Sequence, residues 1–312
     1  MPNLHRIYKL GKLPAKKHPK TLHFADYLTT TPPTPPPSLA IPAKGIPDNG
    51  WGLLGNDLYG DCTCAAISHL EMNFTSSTST LVAPSEHDTL KIYSDVTGFN
   101  PGPPPTNDNG AFITDILAYW QKSGIPLKHK NKKTGYVHHT SRKILAWAEI
   151  DQTNLTEVKQ AIYIFGGVDI GVNLPESAMV QFQKEQPWTV VNPDGGNAGG
   201  HSFPLLGYNS TDAVGITWGQ TQELSWPWFL KYSDEAYCVI TEDFIDQVTQ
   251  KTIDGFDLEQ LKEDIIGLSG HRTESEINKE ESTRLEIGTE PKSPETTPVE
   301  YKENYEEIEV IR

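Results

Sequence analysis

"GNDLYGDCTCAAISHLEMNF", residues 55–74, places two of the chain's three cysteines, Cys62 and Cys64, where a polar Gly-bearing loop runs into Ala65, Ala66, Ile67 and Leu70. The loop residues are turn formers and the run after them has helical spacing, so the two thiols stand at the mouth of a helix. A helix N-terminus carries about half a positive charge, which favours thiolate over thiol. Thiolate is the nucleophilic form, so either cysteine is a candidate catalyst. The plain alternative is a small buried residue filling a junction, the commonest use of a free cysteine.

Working outward, bulk properties bound the answer. A chain of 312 residues can bury a large core in one domain or two lobes. A formal net charge of −15 argues against general binding to nucleic acid or to anionic membranes. No apolar run is long enough for a transmembrane helix, and the basic N-terminus lacks the apolar stretch of a secretory signal. Three cysteines make no disulfide framework, so a reducing cytoplasm is the expected compartment.

Residues 1–45 read as a basic, Pro-rich extension, since "TTTPPTPPPSLAIP" favours a stiff extended link over core. Residues before about Pro42 and after about Gly270 are expected to add little to the core. From 50 to about 135 the periodicity is mainly helical. "SEHDTLKIYSDVTG" has Ser85 as N-cap and Gly98 as stop. In "AFITDILAYWQKSGIP", Phe112, Ile116, Tyr119 and Trp120 share a face before Gly124 and Pro126 end it. The "NPGPPPTND" between them is a surface loop, and the basic "KHKNKKTGYVHH" is expected to be a solvated one. From about 155 to 250, a helix in "NLTEVKQAIYIFG" precedes strand-like runs in "GVDIGVNL", "HSFPLLGYN", "AVGITWG" and "AYCVITEDFI". The aromatic "ELSWPWFLKY" is expected to pack against this β lobe rather than line a groove. Residues 251–270 read as a short helical segment and 271–312 as a disordered acidic tail. Helices first and strands second imply an α+β protein with two lobes.

A nucleophilic thiol needs an imidazole, and the second lobe offers one. "GGNAGGHSFPLLGYN" sets His201 after Gly200 at the head of an apolar strand, and "GITWGQ" brings Trp218 back beside it on the next strand. His69, seven residues after Cys62, lies about 10 Å along the helix by helical rise and is expected to be a hydrogen-bonded core histidine. Cys62, Cys64 and His69 lack the fourth ligand of a structural zinc site, and the Gly-rich "NPDGGNAGG" lacks the strand–turn–helix setting of a phosphate loop. No metal and no cofactor are expected.

Across about residues 46–245 these motifs, in this order, resemble the papain-type cysteine peptidases. "HSFPLLGY" is similar to the family's "HAVxxVGY", "TWG" (Thr217, Trp218, Gly219) to its "SWG", and "DEAYCVI" to its closing strand. The family has a Gln six residues and a Gly two residues before its nucleophile. Asn56 and Gly60 hold those places relative to Cys62, whereas counting back from Cys64 reaches Leu58, which has no donor. The resemblance therefore implies Cys62 as nucleophile, His201 as its imidazolium partner, and Asn56 with the Cys62 N–H as oxyanion donors. It implies Trp218 as a shield over His201, with Gly60 and Gly200 beside the groove. Two positions depart from the pattern. Asn56 is shorter than Gln, and Ile216 stands where the family has the Asn that orients the histidine, leaving Thr217 as the next residue able to accept the imidazole N–H.

The expected fold is α+β and papain-like in two lobes: a helical lobe, then an antiparallel, barrel-like β lobe, together spanning 46–250. The implied function is thiol-dependent acyl transfer, foremost peptide hydrolysis on a peptide or protein substrate. The alternative is an inactive scaffold of the same fold that binds a peptide or protein.

Overall fold

A computed structural model describes residues 8–16, 21–28, 34–41, 46, 50–76, 81–130 and 137–241. The chain divides into two compact units, Met1–Lys262 and Glu263–Arg312. The second unit lies outside the described residues, as do the expected helical segment at 251–270 and tail at 271–312.

The helical elements are α1 (Cys62–Ser76), α2 (Glu86–Thr97), α3 (Ile113–Lys122), α4 (Leu155–Phe165), α5 (Glu176–Gln183) and α6 (Trp226–Tyr232). Every residue of α1 is buried. A helix buried all round is central to its domain, and its polar residues must find partners inside. Ser68 Oγ shares a 3.0 Å hydrogen bond with Thr89 of α2. His69 Nε2 lies 3.1 Å from the carbonyls of Trp51 and Gly52, the core role expected for it. Glu71 accepts from Arg142 Nε at 2.8 Å, and Asn73 Nδ2 donates to the Gly166 carbonyl at 2.8 Å.

Local chemistry sets the other helix ends. Ser85 caps α2 in a full capping box with Asp88, and Gly98 ends it in the left-handed conformation, as the sequence indicates. Asn154 caps α4 and Gly166 closes it the same way. In α3 the buried stripe is Ile113, Ile116, Leu117 and Trp120, with Phe112 at the N-cap and Tyr119 at the margin. The expected face was thus rotated: the Tyr119 hydroxyl reaches outward to Asp95 at 2.7 Å.

The strands are β1 (Leu22–His23), β2 (Ile125–Lys130), β3 (Val137–Arg142), β4 (Ala146–Glu149), β5 (Val168–Pro175), β6 (Asn197–Tyr208), β7 (Asp212–Thr217), β8 (Gln220–Ser225) and β9 (Ser233–Ile240). Seven form one sheet in the order β1-β4-β9-β5-β6-β7-β8, antiparallel except for the β1–β4 pair. The expected α+β order of helices followed by sheet is what the chain adopts. β2 and β3 pair as a separate hairpin, so the stretch expected to be a basic solvated loop supplies two strands. "ELSWPWFLKY" supplies the end of β8 and α6, which buries Trp226, Trp228, Phe229 and Tyr232.

On β5, strand alternation puts Val168, Ile170, Val172 and Leu174 on one face and Asp169, Gly171 and Asn173 on the other. Gly171 pairs with Ser202 of β6 on one side and Glu235 of β9 on the other. Between β7 and β8 the two-residue turn is Trp218–Gly219, both with positive φ (46° and 74°). That geometry suits the right-handed twist of a hairpin and is unusual for so large a residue as tryptophan. A side chain at Gly219 would start 2.9 Å from the Gly52 backbone, so the turn closes against the loop preceding α1.

The N-terminal segment departs from expectation. Phe24 and Tyr27 are buried, and Phe24 meets Phe165 of α4 edge-on at 5.9 Å. β1 extends the main sheet through β4. Apolar surface on this arm, not proline content, decides its place. Phe24→Ala is expected to destabilise the protein by about 3–5 kcal/mol, as for other buried phenylalanines. Urea unfolding followed by tryptophan fluorescence reads it; a loss under ~0.5 kcal/mol, the range of ordinary surface substitutions, would return the arm to the role of an appendage.

Candidate active site

Loop 50–61 delivers Cys62 to the first turn of α1, where it is 1% exposed. The backbone N–H groups of Cys64 and Ala65 bond to the Asp61 carbonyl at 2.8 and 3.0 Å, so the helix starts beneath the thiol. The backbone of Ser202, next to His201 on β6, lies close enough to Cys62 to lower the pKa of its thiol. This joins the mouth of α1 to the strand that carries the imidazole.

His201 is 1% exposed. Its Nε2 lies 2.7 Å from Thr217 Oγ1 at the end of β7. Trp218 stacks on the ring with centroids 4.4 Å apart and planes 17° apart. Nδ1 has no hydrogen-bond partner among the described residues. The residue that could replace the missing Asn is therefore in contact with the imidazole, while Ile216 is buried in the apolar core. Cys64 is fully buried beside Cys62 and lies in that same core.

The remaining candidates surround this pair. Asn56 Nδ2 donates to the Tyr59 carbonyl at 3.1 Å, bracing the loop before Cys62. Gly60 donates its N–H to Asp108 at 2.8 Å; Asp108 also accepts from the Tyr93 hydroxyl at 3.0 Å, and that hydroxyl accepts from Gly110 N–H at 2.8 Å. Asp61, fully buried and next to Cys62 in the chain, is a neighbour that the motif comparison passes over. Burial pushes its carboxyl well above its ordinary value, against the effect of the Asn56 amide.

Residues 8–13 lie across the site, which sequence reasoning did not foresee. Tyr8 packs on Trp218 with centroids 4.9 Å apart, and Trp218 Nε1 donates to the Lys9 carbonyl at 3.2 Å. Lys9 N–H donates to the Asn56 carbonyl at 3.1 Å, and the N–H groups of Gly11 and Lys12 both donate to the Gly200 carbonyl, at 3.2 and 3.0 Å. Ala111 N–H donates to the Gly11 carbonyl at 2.8 Å, and Leu13 N–H to the Ala111 carbonyl at 3.0 Å. The Gly11 backbone also lies close enough to Cys62 to lower the pKa of its thiol. A Cβ on Gly11 would stand 1.9 Å from the Gly60 carbonyl oxygen, so only glycine threads this passage. Gly60 and Gly200, expected beside a groove, are both in contact with this strap.

Covering the site changes its chemistry. Burial, chiefly, pushes the Cys62 thiol up to about 12, and the nearby backbones of Ser202 and Gly11 only partly oppose it. Burial holds the His201 imidazole down to about 3. The expected thiolate–imidazolium pair is therefore absent in this state: desolvation penalises both charges together and outweighs the helix terminus. The thiol is protonated and the imidazole neutral.

No family model and no curated relative matches the sequence. Solved structures do match. Xylellain, a cysteine protease from Xylella fastidiosa, superposes with a TM-score of 0.54 at 14% identity, over 77% of this chain and 99% of its own. Procathepsin B S9 from Trypanosoma congolense gives 0.52 at 11% identity, over 76% of this chain and 87% of its own. The chain thus has the fold of the papain-like cysteine proteases.

Two outcomes follow. Opening the strap restores water to the thiol. Gly11→Val should therefore speed iodoacetamide labelling of Cys62 at pH 7.5 by at least about ten-fold, the ratio of one unit in thiolate pKa. Mass-spectrometric mapping of Cys62 against Cys64 and Cys238 reads it, and equal rates in both chains would show that the strap does not control the thiol. The contribution of the two buried histidines to stability should also fall on acidification, while the raised carboxyls of Asp61 and Asp169 act in the opposite sense. His201 (about 3) and His69 (about 4) both lie below their ordinary value of 6.5, so the unfolded chain binds more protons between these values. Their contribution is complete above pH 6.5 and is lost as pH falls toward 4 and 3. Urea midpoints at pH 7.5 and 5.0 isolate the histidine part by comparison: on acidification the parent chain should lose more stability, or gain less, than His69→Gln, and an identical change in both chains would refute it.

Proposed function

We propose that the chain is a cysteine peptidase whose nucleophile is Cys62 and whose general base and acid is His201. The observation that carries the reading is the arrangement at His201: Nε2 on Thr217 at 2.7 Å, the ring face on Trp218, and Nδ1 left without a partner among the described residues. A ring held by one nitrogen and one face, with its other nitrogen free, is positioned for proton transfer.

With the strap displaced, Nδ1 takes the Cys62 proton and the sulfur attacks the carbonyl carbon of a peptide. The oxyanion is stabilised by the Cys62 N–H and, once it is released from Tyr59, the Asn56 amide. The imidazolium returns its proton to the amine as the C–N bond breaks. Water, deprotonated by the imidazole, then attacks the thioester and frees the acid and the thiol. Thr217 is a positioning residue, holding the tautomer and ring orientation that Asn provides in the family's pattern. Trp218 keeps the Thr217–His201 bond dry.

The second reading, a peptide-binding scaffold, is favoured by one specific observation: residues 8–13 of the chain itself lie over a thiol whose pKa burial pushes up to about 12. The two separate by turnover. In the Gly11→Val chain, unfolded fluorescent casein should be cleaved, and Cys62→Ala should abolish cleavage. Thr217→Val should lower kcat by about ten- to a hundred-fold with KM little changed, the range for one hydrogen bond to a charged group. An opened chain that labels at Cys62 but never cleaves casein, at any pH from 5 to 8, would favour the scaffold.

A further inference from the structure

The side chain of Lys12 is fully buried, an uncommon state for a lysine. Its ammonium lies 3.0 Å from Asp234 Oδ2 and 3.0 Å from Glu235 Oε1, and donates to the Leu13 carbonyl at 3.1 Å. A third carboxyl, Asp169, lies close enough for Lys12 to act on its charge. Three acidic side chains thus surround one ammonium, on two adjacent strands, β5 and β9.

The surrounding contacts show a built pocket. Asn173 Nδ2 donates to Asp234 Oδ2 at 3.2 Å, the Tyr237 hydroxyl to Glu235 Oε2 at 2.9 Å, and the Ser202 hydroxyl to Asp169 Oδ1 at 2.8 Å. Each carboxyl is held in place by a neighbour on the sheet. Asp169 Oδ2 has no partner among the described residues. Gly171 forms one wall: a Cβ there would lie 2.2 Å from Lys12 Cε, so any side chain would close the space the lysine stem fills. Buried acidic groups with no cation are costly, so the pocket favours a cation of this length over an apolar side chain.

We propose that the pocket of Asp169, Gly171, Asp234 and Glu235 is the selecting pocket of the groove and takes a lysine-type side chain from an incoming peptide, with Lys12 as its intramolecular occupant. As a statement about substrates this rests on the peptidase reading; as a statement about binding it does not. The occupant lies one residue from Gly11, whose backbone lowers the pKa of the Cys62 thiol, so the pocket selects a basic side chain beside the reacting site. The clearance at Gly11 adds a second requirement, a glycine next to that lysine.

The test uses the fluorescein-labelled peptide Tyr-Lys-Leu-Gly-Lys-Leu-Pro, matching residues 8–14, and its counterpart with norleucine for the second lysine. Norleucine keeps the stem and removes the charge. Binding by anisotropy is measured to the full chain carrying Lys12→Met, and to the same chain with Glu235→Gln added. The lysine peptide should bind the first chain at least about ten-fold more tightly than the norleucine peptide, as for a charge-assisted contact, and this preference should collapse when Glu235 is neutralised. Equal binding of the two peptides to a folded Lys12→Met chain overturns the proposal. A measurement on the unmodified chain guards against misfolding of the variants. Acetic anhydride should leave Lys12 unmodified while exposed Lys16 and Lys91 react, and only the lysine peptide should make Lys12 reactive as it displaces the strap. Displacement by the norleucine peptide to the same extent also overturns it. Cleavage with no preference for basic peptides would remove the pocket assignment and leave the peptidase; preferential binding without cleavage would keep the pocket and remove the peptidase.

Discussion

Helix α1 has no solvent-facing side, and the arrangement of everything around it follows from that. Four polar side chains on it are met from four different directions: Ser68 by α2, His69 by the loop at Trp51 and Gly52, Glu71 by Arg142 at the end of β3, and Asn73 by the C-cap of α4. An unmet buried polar group costs more than a met one gains. These partners therefore fix the helix in rotation and along its axis. The consequence reaches the site, because the fixed helix begins at Cys62. A thiol on a sliding or fraying helix would not hold a constant relation to the strand bearing His201.

The β lobe fixes the imidazole by a different device. A tight hairpin turn brings Trp218 round at a positive φ that bulky residues avoid, and the same turn leaves Thr217 as the last residue of its strand. One turn thereby positions both the hydroxyl on Nε2 and the indole on the ring face. Strain in a turn beside a candidate catalytic group is a recurring pattern. Here it has a visible counterweight in the packing of Trp218 against Tyr8, Phe182 and Trp188.

What the sequence made legible was local or had a fixed spacing. The capping box at Ser85, the glycine stops at Gly98 and Gly166, the helix mouth at Cys62 and the His201–Trp218 pairing across a hairpin can each be read from a few neighbouring residues. The rotated face of α3 was missed because Tyr119 counts as apolar in a periodicity while its hydroxyl turns to Asp95. The β2–β3 hairpin was missed because its lysines and histidines mask the alternation. The strap was missed for a deeper reason. "YKLGKL" has neither the apolar density of core nor a motif, and its burial depends on Gly200, Asp234 and Glu235, far along the chain. No window of sequence contains both halves of that interaction.

The strap and the site are coupled electrostatically as well as sterically. With Lys12 in place, the pocket carboxyls face a cation and the thiol faces backbone; water is excluded from both. If the strap leaves, the thiol gains water and its charged form becomes accessible, but the pocket loses the ammonium that offsets its acidic groups. Burial and the nearby Glu235 already push Asp169 up to about 8 with Lys12 present, and Lys12 acts in the opposite direction. Removing the ammonium takes away that opposition and leaves three carboxyls in a poorly solvated space, so the emptied pocket must bind protons or another cation. Opening the groove and creating a demand for a basic side chain are therefore one event. The same residues that keep the thiol neutral while Lys12 is bound define which side chain would be favoured in its place.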